Sequence, residues 1–552
     1  MSGMNEHQRS AALACLAFIL AALTTACGSL RPQATAVPVE IVFQTPVDEI
    51  VGGVRLAPPE PSWDGYGEAI DVRGEVLVIG ASEWNICGPG SAYVYRFSEG
   101  EWREEAQLVA SDRDVFIQQA RQFEAQRFGS SVVLGEGIIA IGAPGNAYPI
   151  AGGYTGAVYL FEYDGRTWVE TTKLTPGRPD PEPAPIQATP SVCGRMARRS
   201  FGALVALDGD TLAIGGDSAT NSVYIYQRGE NSWQEQARLL VPGSPGRDLY
   251  MVSQVLFGDT LAVSALYLPP QPDQAPVLTG NVTVYVFERN GDDWKESFRF
   301  TPEDSDADVL FFGEVNVGAS VALGGVSGQA KLLAVGLPGF PDWSGVQDHI
   351  GMFGVSPEQI PEFPKSNRET GAVYIFERTE KGGWTQLATL KPAGWENPPG
   401  PGSLFSGVPP VTESEQGDFD GASGVLDHLY RATQAASGEQ GSIDEADFYA
   451  SFVFPGHVFS EAPEITFFGA TVDLDGNRLA VTAGFSNATY VFERRDEGWV
   501  YRFSITPGNE KGELWEDSAQ VVRISGDILL LGTPSEFGNS AYVFRLLPES
   551  ER

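Results

Sequence analysis

Few side chains in this sequence belong to the types that do chemistry in small clusters, and their spacing limits what they could do. Of four histidines, His349, His428 and His457 stand far apart. None has the His-x-x-x-His spacing that sets two imidazoles on one helical face, and nothing places a Ser–His–Asp relay. Carboxylates are the opposite case. With 72 Asp and Glu against 36 Lys and Arg, no pair suited to glycoside hydrolysis can be singled out. The alternation Asp304-Ser305-Asp306-Ala307-Asp308 is one that a hard, oxygen-seeking cation such as Ca²⁺ could use, but no glycine follows to make the tight turn. Asp418-Phe419-Asp420-Gly421 is shorter, and Asp473 with Asp475-Gly476 falls in a hairpin turn. Each is read as a solvated turn in preference to a metal site. Three cysteines, Cys27, Cys87 and Cys193, follow the N-terminal apolar run.

The net charge of −36 argues against a nucleic-acid partner, which needs a basic face, and against adhesion to anionic lipid. Its simplest consequence is solubility. Ala11 to Leu23 form an apolar run of about 13 residues, too short to span a bilayer and right for a signal h-region. It leads into Leu23-Thr24-Thr25-Ala26-Cys27-Gly28, which resembles a lipobox. There the Cys27 thiol takes a diacylglycerol group and becomes the new N-terminus. The alternative is an ordinary secretory signal cleaved near Ala26. Either way the expectation is a chain that leaves the cytoplasm: residues 1–26 a signal, 27–50 a tether, and the cell envelope as its location. No later segment is long and apolar enough for a transmembrane helix.

Something must position these groups, and a repeat supplies it. Tyr, an aliphatic residue and an aromatic recur at Tyr93-Val94-Tyr95, Tyr159-Leu160-Phe161, Tyr224-Ile225-Tyr226, Tyr285-Val286-Phe287, Tyr374-Ile375-Phe376, Tyr490-Val491-Phe492 and Tyr542-Val543-Phe544. Trp102, Trp168, Trp233, Trp294, Trp384 and Trp499 follow the first six copies at near-constant spacing, which fits packing between repeats better than a sugar platform. Upstream of each copy lie two further apolar runs joined by a Gly-containing turn, as at Asp208-Gly209-Asp210. Each unit therefore reads as four antiparallel strands, A to D. The inner strands are continuously apolar, so both of their faces must be buried, as in sheets stacked around an axis. The seventh unit lacks a strand D. Val54-Arg55-Leu56-Ala57-Pro58 matches the Lys173-Leu174-Thr175-Pro176 ending of that strand, and is expected to close the last sheet and remove its open edge. The fold class is all-β: a seven-bladed β-propeller over residues 51–547.

Strand A often opens on an aromatic-Gly pair (Tyr66-Gly67, Phe128-Gly129, Phe201-Gly202, Phe312-Gly313, Phe468-Gly469). Strand B often ends Gly-Ala-Pro or a relative (Gly142-Ala143-Pro144, Gly336-Leu337-Pro338, Gly532-Thr533-Pro534, Gly80-Ala81-Ser82). The chain thereby resembles the FG-GAP repeat family, whose best-known domain is the propeller of integrin α chains. Blade 4 departs from the pattern, with Val252-Ser253 and Ser264-Ala265 in the motif positions. The resemblance implies seven blades and extracellular recognition without fixing a ligand. Family members can carry Asp-x-Asp-x-Asp-Gly loops for Ca²⁺ after strand B, a pattern those loops lack here. Any Ca²⁺ is left to Asp304, Asp306 and Asp308, which sit in a crossing; no other cofactor is expected.

In such a blade the A–B and C–D turns share one face of the disc, and the B–C loops and D-to-A crossings the other. Every long segment falls on that second face, where binding usually resides. Cys87 in a B–C loop and Cys193 in a crossing are both placed there. With Cys27 assigned to lipid they are expected to form a disulfide in an oxidising compartment, the alternative being two thiols too far apart to bridge. Residues 392–466 are acidic and partly helical in pattern: Val425, Leu426, Leu429 and Tyr430 share a helical face, and Ser442 with Glu445 resembles a capping box. Asn281-Val282-Thr283 and Asn487-Ala488-Thr489 match a glycosylation pattern but fall in strands. The expected function is recognition of a protein or glycan through the loop-rich face by a membrane-anchored, non-catalytic module. The alternative is a propeller glycoside hydrolase or lyase with its site at the central channel.

Overall fold

The computed structural model describes residues 50–57, 65–82, 88–114, 117, 126–145, 156–176, 200–217, 220–230, 232–243, 248–268, 281–302, 319–326, 328–338, 371–391, 468–483, 488–496, 498–505, 521–533 and 540–546. Its 28 strands pair into seven four-stranded antiparallel sheets. The first strand in the chain, β1 (Ile50–Leu56), stands apart from its sequence neighbours. Blade 1 is β2 (Tyr66–Arg73), β3 (Val76–Ala81), β4 (Ser91–Ser98) and β5 (Glu101–Leu108). Blade 2 is β6 (Ser131–Leu134), β7 (Ile138–Ala143), β8 (Ala157–Tyr163) and β9 (Trp168–Leu174). Blade 3 is β10 (Leu204–Asp208), β11 (Thr211–Asp217), β12 (Ser222–Arg228) and β13 (Trp233–Leu240). Blade 4 is β14 (Asp248–Phe257), β15 (Thr260–Leu268), β16 (Asn281–Asn290) and β17 (Asp293–Phe300). Blade 5 is β18 (Ser320–Val326), β19 (Gln329–Leu337), β20 (Ala372–Arg378) and β21 (Trp384–Leu390). Blade 6 is β22 (Phe468–Asp475), β23 (Arg478–Ala483), β24 (Ala488–Arg495) and β25 (Gly498–Ile505). Blade 7 is β26 (Val521–Ser525), β27 (Ile528–Thr533) and β28 (Ser540–Leu546), completed by β1.

The closing strand takes the register expected of it. Val54 lies opposite Val543, Arg55 opposite Tyr542 and Leu56 opposite Ala541. The first and last described strands thus share one sheet, and the ring has no open seam.

Burial explains why no sheet stands alone. Strand B is buried along its whole length in β7 and β27, whereas outer strand β9 is covered only at its ends and intermittently between. The core is divided into seven apolar clusters, each drawn from two neighbouring blades. Stability therefore resides in the junctions between sheets, as in other repeat architectures. The strand-D tryptophans serve those junctions. Trp168, Trp233, Trp384 and Trp499 are buried, and Trp168 donates its indole N–H to Glu105 of blade 1 at 3.0 Å.

The aromatic-Gly and Gly-Ala-Pro pairs have a shared physical meaning. Gly129 holds φ +95, a region open to glycine, and its carbonyl faces Gly80 of blade 1 so closely that a Cβ on Gly80 would collide with it. The same carbonyl-to-glycine contact joins Gly202 to Gly142, Gly469 to Gly336, and Gly67 to Gly532. The two motifs are thus the halves of one backbone contact between successive blades. At the junction of blades 4 and 5 hydroxyls stand in: Ser264 donates to the Ala319 carbonyl at 2.6 Å, and Ser253 accepts from the Val321 N–H at 3.2 Å.

Candidate functional surfaces

Antiparallel pairing puts the A–B and C–D turns at one end of every blade and the B–C and D–A connections at the other. All A–B and C–D turns span two to five residues. The connections at the opposite end include 109–130, 175–203, 338–371 and 391–467. Their roots are fixed to the ring by charged groups. Ser111, just past β5, donates through its N–H and hydroxyl to Glu170 of β9 at 2.9 and 2.7 Å. Asp112 accepts from Lys173 at 2.6 Å, Tyr159 at 2.7 Å and Gln126 at 2.9 Å. Desolvation pushes the Asp112 carboxyl up, but the Lys173 and Tyr159 hydrogen bonds outweigh it and hold it below the usual range. Buried Arg127 donates to Glu68 of blade 1 at 3.1 Å, and Ser82 donates to the same carboxylate. On blade 4 the hydroxyls of Tyr267 and Tyr285 share a hydrogen bond at 2.5 Å. The segment after blade 1 is therefore clamped where it leaves and re-enters the disc, a footing suited to presenting a binding surface.

The turn face carries a belt. Strand C ends in an acid or amide followed by Arg in several blades, and successive blades pair. Arg228 meets Glu162 at 2.9 Å, Arg289 meets Gln227 at 3.0 Å, Arg378 meets Glu288 at 2.8 Å and Arg494 meets Glu377 at 2.7 Å. These bridges join blades 2 to 6 in order. Elsewhere aromatic faces replace the acid: Arg96 lies over Tyr163 of blade 2 at 5.0 Å, and Arg545 of blade 7 over Phe97 of blade 1 at 5.9 Å.

Around the axis, one inner-strand position holds Asp71, Val133, Ala206, Val255, Ala322, Asp473 and Arg523 in blades 1 to 7. The charged members fall on blades 6, 7 and 1, and the junctions from blade 6 through 7 to 1 are ones that the belt's bridges do not span. Asp473 accepts from the Ile524 N–H of blade 7 at 2.8 Å, and Asp71 from the Leu134 N–H of blade 2 at 2.7 Å. Arg523 Nε stands 3.7 Å from Asp71. Asp208 and Asp475 make the same forward bond to the N–H groups of Gly258 and Gly526. An innermost strand has no partner for the donors on its inner edge, and these carboxylates supply one.

That arrangement corrects one expectation. The A–B turn of blade 6 is Gly476-Asn477, with Gly476 at φ +59, so Asp475-Gly476 is hairpin chemistry as expected. Asp473 is not a solvated turn residue. It lies within β22 on the same side as Asp475, because side chains alternate along a strand, and burial raises its carboxyl to about 6. Asn281 opens β16 as expected. Cys27, Cys87, Cys193, Asp304, Asp306, Asp308, Asp418, Asp420, the three downstream histidines and segment 392–466 lie outside the described residues. Among the described residues no three His, Cys, Asp or Glu side chains group as a metal site would require, and no helix is long and apolar enough to cross a membrane. The belt and Asp71 were not singled out in the sequence, and Asp473 was read there only as a turn residue, although Phe-Glu-Arg recurs at 287–289, 376–378 and 492–494.

No protein-family model matches the chain, and no curated protein sequence matches it. Solved structures that resemble it include a chain of a mitotic checkpoint complex (11% identity, 95% of this chain and 99% of that one covered, TM-score 0.42). A putative 6-phosphogluconolactonase from Bacteroides uniformis has 10% identity, covers 80% and 85%, and has a TM-score of 0.37. The WD40 domain of Toxoplasma gondii coronin has 8% identity, covers 94% and 90%, and has a TM-score of 0.41. The seven-bladed propeller itself is read from the strand pairing above.

Proposed function

We propose that this chain is an exported, lipid-anchored recognition module whose loop-rich face takes a protein or glycan at the cell envelope. The observation that carries the reading is the one-sidedness of the disc. One face has only two- to five-residue turns, and the other is the root of every long connection, one of which, 109–130, is pinned near both ends by buried or partly buried ion pairs. A rigid scaffold with its variable segments on one side is the general form of a binding domain. The export and anchoring part rests on the apolar run Ala11 to Leu23 and on Cys27 after a small residue. The inner-strand carboxylates have a structural use that fits a non-catalytic scaffold, each accepting from a backbone N–H of the next blade. The FG-GAP resemblance and a role for Ca²⁺ belong to the same proposal.

Capture of partners from an envelope extract tests it, with the intact chain, with and without Ca²⁺, beside a variant lacking residues 392–466. Changes in the long connections should abolish capture, and charge reversals in the A–B turns should leave it intact; the opposite pattern contradicts the reading. Equal recovery by the deletion variant would remove that insertion from the binding surface. Incorporation of a labelled fatty acid, lost on Cys27→Ala, tests the anchor.

A further inference from the structure

We propose that Asp473, Arg523 and Asp71 form a one-proton latch across the three blades around the ring closure, so that the ring closes more firmly in mildly acidic surroundings. Charge is unevenly shared at this closure. Two carboxylates and one guanidinium occupy equivalent inner-strand positions of blades 6, 7 and 1, each directed at the next blade. Arg523 sides with Asp71, at 3.7 Å. Asp473 has no ion pair within salt-bridge distance among the described residues, and its only cross-blade bond is the one from the Ile524 N–H. The Asp473 charge is therefore left outside ion-pair distance of any cation among the described residues, in a partly desolvated junction, and a proton is the smallest cation that can neutralise it.

These three groups also sit where the belt stops. Blades 2 to 6 are tied by the Glu/Gln–Arg belt, with Val133, Ala206, Val255 and Ala322 at the axial position. Between blades 6 and 7 no belt bridge is found among the described residues, because Leu546 stands where blades 3 to 6 have Arg. The axial triad takes over at that point. The charged groups facing Asp473 are Arg523 of β26 and Asp71 of β2; those facing Asp71 are Arg523 and its strand neighbour Arg73. Burial raises the Asp473 carboxyl to about 6, against the pull of Arg523 and the Ile524 bond, and it raises Asp71 as well.

The sign follows from linkage. A carboxyl raised in the folded state binds its proton more tightly there than when unfolded. The folded ring therefore gains stability as pH falls through about 6, and the gain is complete near the ordinary value of 3.8. Asp473 alone should make the unfolding constant about tenfold smaller at pH 5 than at pH 7.5.

The test compares the full chain with Asp473→Asn, whose amide oxygen still accepts from Ile524 but carries no charge. Unfolding equilibria are measured in urea at pH 5 and 7.5. The intact chain should show the acid gain, and the variant should lose about tenfold of it by being more stable at pH 7.5. A variant that keeps the full gain overturns the latch. If Asp473→Asn does not fold, carboxyl-carbon NMR of Asp473 in the unaltered chain decides: a midpoint near 6 supports the latch, and one at or below 4 overturns it.

Discussion

Replacing Gly142 by alanine puts one methyl group into the contact between blades 2 and 3, which makes the cost calculable. A Cβ at that position would collide with the Gly202 carbonyl oxygen and the Ser131 hydroxyl. Ser131 bonds that same carbonyl at 2.8 Å, so the methyl both overpacks the junction and dislodges its hydrogen bond. Overpacking costs roughly 1–3 kcal/mol and the lost bond about 1 kcal/mol, for an expected loss of about 2–4 kcal/mol. Gly165→Ala is the comparison. Gly165 has φ +94 but nothing within 4 Å of its Cβ position, so only the backbone term of roughly 1–2 kcal/mol applies. Equilibrium urea unfolding followed by tryptophan fluorescence reads both, Trp233 being part of the same inter-blade cluster. A Gly142→Ala variant that loses no more stability than Gly165→Ala would show that the carbonyl-to-glycine contact does not hold the junction.

Three more outcomes are expected. A double-mutant cycle on Glu288 and Arg378, whose side chains are 20% and 25% exposed, should give a coupling of about 0.5–1 kcal/mol that shrinks in 1 M salt, as partly exposed ion pairs do. Asp112→Asn should destabilise the chain at pH 7 by about 1–2 kcal/mol and open the segment after blade 1 to protease. Because the Asp112 carboxyl is held below its ordinary value, its contribution is present above about pH 4 and fades as pH falls through the folded value, so the variant and the unaltered chain should converge in strong acid. Trp168→Phe should cost about 1 kcal/mol for the bond to Glu105, beyond any packing loss, with Glu105→Gln recovering little of it.

The repeat was legible because each blade buries the same faces with the same residue types. Tyr-aliphatic-aromatic marks strand C, a Trp starts strand D, and Arg55-Leu56 matched strand D well enough to place the closing strand opposite Tyr542. The glycine motifs were visible as words, but their meaning was not: Gly80 and Gly129 are far apart in the chain, and only stacking makes them one contact. Two features left no local trace. In each of blades 1 to 6 the register of strand C against strand D shifts inside the Tyr-aliphatic-aromatic motif, between Val94 and Tyr95 in blade 1 for example, a bulge that adds twist. The forward reach of Asp473 and Asp71 depends on the neighbouring blade's unpaired N–H groups, so beside a glycine turn an Asp reads as turn chemistry. Phe-Glu-Arg could have been found as a further periodic signal; its acid and base pair between blades, whereas sequence reasoning looks first within one.

Ring closure by the N-terminal strand is the premise of every surface assigned above, and hydrogen exchange tests it most directly. A chain that begins after residue 57 lacks β1 and leaves one edge of β28 without its partner. In that chain the amides of Ala541 to Arg545 should lose protection and the unfolding transition should broaden, and a peptide of residues 50–57 added in trans should restore both. Unchanged protection at those amides in the truncated chain, without the peptide, would contradict it.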